Sequence, residues 1–330
     1  MKTKTQSKFH PLKSSAPAWA SEMAGIMEAY QKAGGSPEQL QAQDVATLVV
    51  SGDQVLVSHD IAGIQFSAER IENGVRAKIE VGANSVIEKP VHLCFGVLPQ
   101  EGIQHIIADY HIGEGAQVKF LVHCSFPNAI KVEHLMNATI QVEKNASMEY
   151  TEEHFHGESG GILVKPTTQV TVEKGGTYRN TFSLVRGSIG EMDIDVKVET
   201  QENALVELHT KAYGIHKDIV KVNELIRLNG NNAHGLAKTR IAVKDQAISN
   251  VVTITEGNAP GVKGHMDCTE IVRDQGKATN NPVVLVSNAL AQVTHEAAIG
   301  TVNRKELETL MSRGLNENEA VDIIIRAMIR

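Results

Sequence analysis

Three groups of metal-competent side chains recur along the chain: His92-x-Cys94, His123-Cys124 and His154-x-His156. Their leading histidines stand at 92, 123 and 154, in steps of 31 residues. If each step is one turn of a repeating coil, the groups stack in a column with ~4.8 Å between strands. Imidazoles and thiols so placed are ligands for a soft or borderline metal ion. Glu152 and Glu153, beside His154, supply the carboxylates that orient imidazole ligands from behind. The competing reading is a ladder of polar residues made alike by repetition.

The familiar catalytic motifs are incomplete. Gly230-Asn-Asn-Ala-His-Gly235 has the glycine spacing of a phosphate loop, but Leu236 stands where the lysine for the terminal phosphates is needed. Gly113/Gly115 and Gly160/Gly161 make no dinucleotide fingerprint, there is no Gly-x-Ser-x-Gly elbow, and His295-Glu296 lacks the second histidine of a zinc protease. The residues describe a protein that is not a self-contained enzyme and binds no nucleotide of its own.

Composition narrows the classes further. Of 330 residues, 42% are hydrophobic, 22% charged and 4% aromatic, enough apolar content to bury a core without cross-links. Lys+Arg 32 against Asp+Glu 39 gives a net charge of −7, the wrong sign for a protein that neutralises phosphates. Nucleic acid is therefore excluded as a main partner. The three cysteines Cys94, Cys124 and Cys268 are an odd number and argue against a secreted disulfide scaffold. No apolar run has signal-peptide or membrane-spanning length, so the expectation is a soluble cytoplasmic protein.

The elements that must position these residues fall into three stretches. Residues 1–45 hold a basic, polar, mobile tail to about residue 15, then an apolar stripe, Trp19, Met23, Ile26, Met27 and Tyr30, closed by Gly34-Gly35. That stripe predicts a helix, and Ser36-Pro37 predicts a second, short one. Residues 46–300 change to short β-branched runs such as 47–50, 54–57 and 74–79, without the long helices of a doubly wound fold. Within them a turn cluster recurs before a strand, its second position at Gly115, Asn145, Gly175 and Asn203, in steps of 30, 30 and 28. A weaker copy begins at Asn231, and Val81-Gly82-Ala83 starts the series. Such a period means stacked units that cannot bury an apolar face alone. Short strands with Gly/Asn corners and few aromatics suit a parallel β-helix, with a β-sandwich as the alternative.

Residues 301–330 predict two short amphipathic helices. Asn303 and Glu306 form a capping box, Leu307, Leu310 and Met311 an apolar stripe, and Gly314 a stop. Asn316 and Glu319 repeat the box before Val321, Ile324, Ile325 and Met328. These helices either cover the open end of the β-helix, whose last coil has unpaired edges, or form a docking surface.

The strongest local signal runs from Val293 to Leu315, where a strand carrying His295-Glu296-Ala297 leads into the capped helix and its Ser312-Arg313-Gly314-Leu315 stop. This segment resembles the SufB/SufD family of iron–sulfur cluster assembly proteins. The resemblance is firm from about Asp267 to Arg330 and looser from about residue 90. It implies a right-handed parallel β-helix with flanking N-terminal helices and a small C-terminal helical domain. It further implies pairing through the β-helix ends with a second copy or a SufB/SufD paralogue. The C-terminal helices would dock SufC, an ABC-type ATPase, and the chain would serve as a scaffold, passing a transient iron–sulfur cluster to apoproteins.

By the same resemblance, His295 falls on the histidine near the dimer interface and Glu296 on the glutamate beside it in SufB-like members. Leu307, Leu310, Met311, Arg313, Gly314 and Leu315 fall in the ATPase-docking segment. One departure matters: Gly276 and Thr279 replace the cysteine and histidine of the SufB turn. Either His295, Glu296 and Cys268 hold the cluster, or the chain is the supporting, SufD-like partner. The rivals are a metal-binding protein using the column from His92 to His156, and a β-helix carbohydrate-active enzyme. The scarcity of aromatic platforms weighs against the second.

Overall fold

The computed structural model describes residues 16–329. The tail expected over 1–15 lies outside the described residues. Helix α1 (Ala16–Lys32) follows the predicted stripe, and Ser36-Pro37 leads only into a single 3-10 turn, Gln39–Gln41. Strands β1 (Thr47–Ser51) and β2 (Gln54–His59) form one antiparallel pair, and β3 (Ile64–Ile71) and β4 (Gly74–Val81) another. From β5 (Val91–Gly96) onward the chain winds as a solenoid. Its successive strands are β6 (Glu101–Ile112), β7 (Gln117–Phe126), β8 (Lys131–Val142), β9 (Ser147–His156), β10 (Ile162–Val172), β11 (Thr177–Leu184) and β12 (Glu191–Thr200). Then come β13 (Leu205–Gly214), β14 (Ile219–Leu228), β15 (His234–Val243), β16 (Ile248–Gly257), β17 (Lys263–Val272), β18 (Lys277–Val286) and β19 (Gln292–Gly300).

Odd and even strands of the coils build two separate sheets. One runs β19-β17-β15-β13-β11-β9-β7-β5-β1-β2, the other β18-β16-β14-β12-β10-β8-β6-β4-β3. Every neighbour from β4 and β5 onward is parallel, which rules out the β-sandwich and bears out the parallel β-helix. The mid-solenoid strands β9, β12 and β14 alternate a buried side chain with a more exposed one, because period-2 geometry sends one set into the lumen and the other outward. Strands β1 and β5, by contrast, are buried on both faces.

The recurring corners are left-handed residues. Asn84, Gly115, Asn145, Gly175, Asn203, Asn232 and Gly261 all have positive φ, a conformation cheap for Gly and tolerated by Asn. Each donates its N–H to a carbonyl of the next coil, as Gly115 does to Lys144 at 3.0 Å and Asn145 to Lys174 at 3.0 Å. The series thus starts at Asn84, two residues past the expected Gly82, and continues at Asn232, one past Asn231. A coil advances by the residue that takes the left-handed turn, not by the first polar residue of the cluster.

The three α-helices among the described residues lie on outer faces. From α1, Met23, Ile26 and Tyr30 pack on Val49, Leu56 and Cys94. At the other end, Asn303 caps α2 (Arg304–Met311), its side chain accepting from the N–H groups of Lys305 and Glu306. The box before α3 (Glu317–Ile329) is reciprocal: Asn316 N–H donates to Glu319 and Glu319 N–H to Asn316. Val321, Ile325 and Ile329 of α3 pack on Tyr213, Ala242 and Ile271, the outward row of β13, β15 and β17. The expectation that these helices cover the open end is therefore corrected. They sit on the flank, where an outward apolar row offers them a face, and β18 and β19 keep their outer edges unpaired among the described residues.

Candidate functional site

The groups at 92–94, 123–124 and 154–156 do not share one column. His92 pairs in register with Leu121, Cys94 with His123, and His123 with Glu153. Coils here advance by 29 and 30 residues, so a step of 31 slips the register, and an odd slip moves a side chain through the sheet. His92, Cys94 and His123 therefore face outward beneath α1, where Tyr30 hydrogen-bonds His92 Nδ1 at 2.8 Å and lies 4.5 Å ring to ring from His123. Burial pushes the Cys94 thiol up to about 12 and holds His123 down to about 4.

Cys124, His154 and His156 face the lumen instead, in register across β7 and β9: Cys124 with His154, Phe126 with His156. Two lumen residues join them. Glu152, read from sequence as a residue behind the ligands, accepts from the Cys124 thiol at 3.6 Å and lies 2.7 Å from His154 Nε2. His134, which carried no motif, enters from β8 across the lumen with its ring 5.9 Å from that of His154. Burial pushes the Cys124 thiol well up, aided by the adjacent Glu152, holds His134 well down, and takes His156 to about 3. Period-2 alternation of 152, 154 and 156 is the signal in the sequence that would place the acid with the imidazoles.

Near the open end, His295 lies in register with Met266, Glu296 with Asp267 and Ala297 with Cys268. His295 and Cys268 thus share the lumen face of adjacent strands, in diagonal positions. Glu296 is turned to the outer face, beside Asp267 and its ion pair with Arg240. His295 is exposed because no coil follows β19, whereas Cys268 is buried with Thr253 Oγ1 at 3.8 Å and its thiol raised by burial. The lumen above it is polar: Thr210 donates to Glu224 at 2.6 Å and Ser249 to Glu270. Burial lifts the Glu224 carboxyl to about 7. Gly276 sits two residues after the left-handed corner Asp274 and carries no donor side chain toward this group.

Along the C-terminal helices, Leu307 packs inward on the α3 cluster, while Met311 and Arg313 are exposed and Leu315 half-buried. Gly314, at φ +97°, ends the segment. Leu310 lines a groove of about 880 Å³ with Ile271, Ala298, Ile323, Ile324 and Met328. An apolar concavity bounded by two short helices and the last strand can receive a partner's side chains. No helix among the described residues is long and apolar enough to cross a membrane.

Comparison with known proteins gives the family. Residues 103–328 match the family model described as SUF system FeS cluster assembly, SufBD core domain. An iron–sulfur cluster assembly SufBD family protein of Methanocaldococcus jannaschii is 37% identical over 308 residues, covering 93% of this chain and 98% of the relative. One of Pyrococcus horikoshii is 33% identical over 308 residues, covering 93% and 94%. A third, of Archaeoglobus fulgidus, is 26% identical over 253 residues, covering 74% and 65%. The family model spans most of the solenoid and both C-terminal helices of this chain, and two relatives match it at 37% and 33% identity over 93% of its length; this chain belongs to the SufBD family of iron–sulfur cluster assembly proteins.

Proposed function

We propose that the chain is a non-catalytic scaffold subunit of SUF-type cluster assembly, working in the cytoplasm. It pairs through the open end of its solenoid with a second copy or a SufB/SufD paralogue. Its C-terminal helices dock a SufC-like ABC ATPase. The observation that carries the reading is the open end itself. Among the described residues the outer edges of β18 and β19 are unpaired, Leu285, Val286, Leu290 and Ile299 are exposed there, and His295 projects from the last strand. Unpaired parallel edges beside exposed apolar side chains are unstable in water and favour burial against another sheet end.

The cluster is cargo, assembled between subunits and passed to apoproteins. His295 and Cys268, on one face, are the ligands proposed from this chain, and Glu296 reaches the cluster only from the outer face of the same strand. Closure of two ATPase subunits would pull on α2 and α3. Because α3 is fixed to β13, β15 and β17 by Tyr213, Ala242 and Ile271, that pull acts on the coils next to the open end.

Co-expression with an ABC ATPase, purification without oxygen, and assay of iron and acid-labile sulfide test this reading. Near-stoichiometric iron and sulfide, lost in His295→Ala, support the cluster-bearing role. A stable complex with neither assigns the chain to the supporting, SufD-like role that Gly276 favours. Leu310→Asp should abolish ATPase capture while the circular dichroism stays that of a β protein, and capture unchanged in that variant would sink the docking assignment.

A further inference from the structure

The lumen around Cys124 holds a donor set separate from the open end. One ligand atom each from Cys124, Glu152 and His154 lies within 4.8 Å of the other two, and all three residues are buried. Cys124 Sγ and His154 Nε2 stand 3.6 Å and 2.7 Å from the same Glu152 oxygen. Ligands around a tetrahedral zinc with bonds of about 2.0–2.3 Å are separated by about 3.3–3.8 Å, a spread these side chains reach by small rotations.

The hydrogen bonds behind His154 decide which of its nitrogens faces the acid. The Ser188 carbonyl can only accept, so His156 Nδ1, 3.2 Å away, carries a proton. With its single imidazole proton thus placed on Nδ1, His156 accepts at Nε2, and His154 Nδ1 donates to it at 3.3 Å. His154 Nε2 is then left with a lone pair aimed at the Glu152 oxygen. Two lone pairs at 2.7 Å repel unless a proton or a cation lies between them. An imidazole that donates its far N–H outward while its near nitrogen is bare is oriented as a metal ligand.

His134 is an independent sign. It is 1% exposed, and neither ring nitrogen has a hydrogen-bond partner among the described residues. Leaving a buried polar group unpaired costs about 1–3 kcal/mol, so a partner is called for.

We propose that Cys124, Glu152 and His154, with His134 as fourth donor, form a closed mononuclear site for a zinc-type divalent cation. Thiolate, carboxylate and two neutral imidazoles cancel the 2+ charge, the condition for burying an ion in a low-dielectric lumen. Loading forms the metal–sulfur, metal–oxygen and two metal–nitrogen bonds. It releases two protons, one from the Cys124 thiol and one held between Glu152 and His154, with no change of oxidation state. Because β8 belongs to the opposite sheet from β7 and β9, the ion ties the two sheets across the lumen. The site does not depend on the scaffold reading.

The chain has only three thiols, Cys94, Cys124 and Cys268, which makes the assignment testable one by one. The full chain is produced in zinc- or cobalt-supplemented medium and purified without chelators. Metal is then measured by mass spectrometry, and the cobalt form by its thiolate-to-cobalt charge-transfer absorption. About one metal per chain is expected, falling at least tenfold in Cys124→Ser and Glu152→Gln. Both metal and absorption should persist in Cys94→Ser and Cys268→Ser. If Cys124→Ser does not fold, the near-isosteric Glu152→Gln and His134→Gln carry the same test. A metal-free wild-type chain, metal retained in Glu152→Gln, or an absorption lost in Cys268→Ser instead would each overturn the proposal.

Discussion

The Tyr30 hydroxyl lies 2.8 Å from Nδ1 of His92, and the same ring stands edge-on to His123 at 4.5 Å. The N-terminal helix is thus fastened to the outward half of the His/Cys series, and those residues serve as its seat. Tyr30→Phe keeps the ring but leaves His92 with an unpaired nitrogen in a buried place. We expect a loss of about 1–2 kcal/mol in denaturant unfolding, together with faster tryptic cleavage at Lys32 as α1 loosens. Unchanged cleavage would show that apolar packing by Met23 and Ile26 alone holds the helix.

The corner ladder makes a sharper demand. At Gly115, φ is +69° and a Cβ would sit 2.7 Å from Oδ1 of Asn84 on the preceding coil. Gly115→Ala combines left-handed strain with that collision and should cost about 2 kcal/mol or more. Asn145→Gly, at φ 56° on the next coil, should cost well under 1 kcal/mol, because Gly adopts the turn freely. Equal midpoints for the two variants would mean that the corners are looser than their hydrogen bonds suggest.

His123 makes the fold sensitive to acid. Its pKa in the folded chain is about 4, lowered first by burial and then by His92 and His154, against an ordinary 6.5. The unfolded chain therefore takes up this proton first, so the stabilisation is full above pH 6.5 and is lost as pH falls from there through 4. The His123 share is on the order of 1.4 kcal/mol per pH unit, reaching about 3 kcal/mol. Stability against pH should be flatter in His123→Gln across that window, and parallel curves would remove His123 as a cause.

Glu224 works in the opposite sense. Its folded pKa of about 7 lies above the ordinary 4.5, so stability is full below pH 4.5 and declines as pH rises through 7. Glu224→Gln keeps an oxygen to accept from Thr210 and removes the charge. At pH 8 it should be more stable than the wild type by about 2–3 kcal/mol, with no gain at pH 4.5. Thermal melts at the two pH values measure the difference.

Much of this protein is local and was legible in the residues alone. The Asn/Gly corners need only a left-handed residue at each turn, the capping boxes lie within four residues of one another, and the Trp19-to-Tyr30 stripe sets its own helical face. These reveal a repeating β-coil with helices at both ends, and the segment around His295 carries the family likeness. Which face each donor takes is another matter. It depends on the full length of every coil, summed over two strands and two corners, and one residue more or less flips the side chain. That is why His123 and His154, 31 apart, end on opposite sides of one sheet, and why His154 and His134 meet in the lumen where no motif joined them. Glu296 turns away from His295 because neighbours in a strand must, and α3 lies on the flank because Tyr213, Ala242 and Ile271 line up outward only once three coils have stacked.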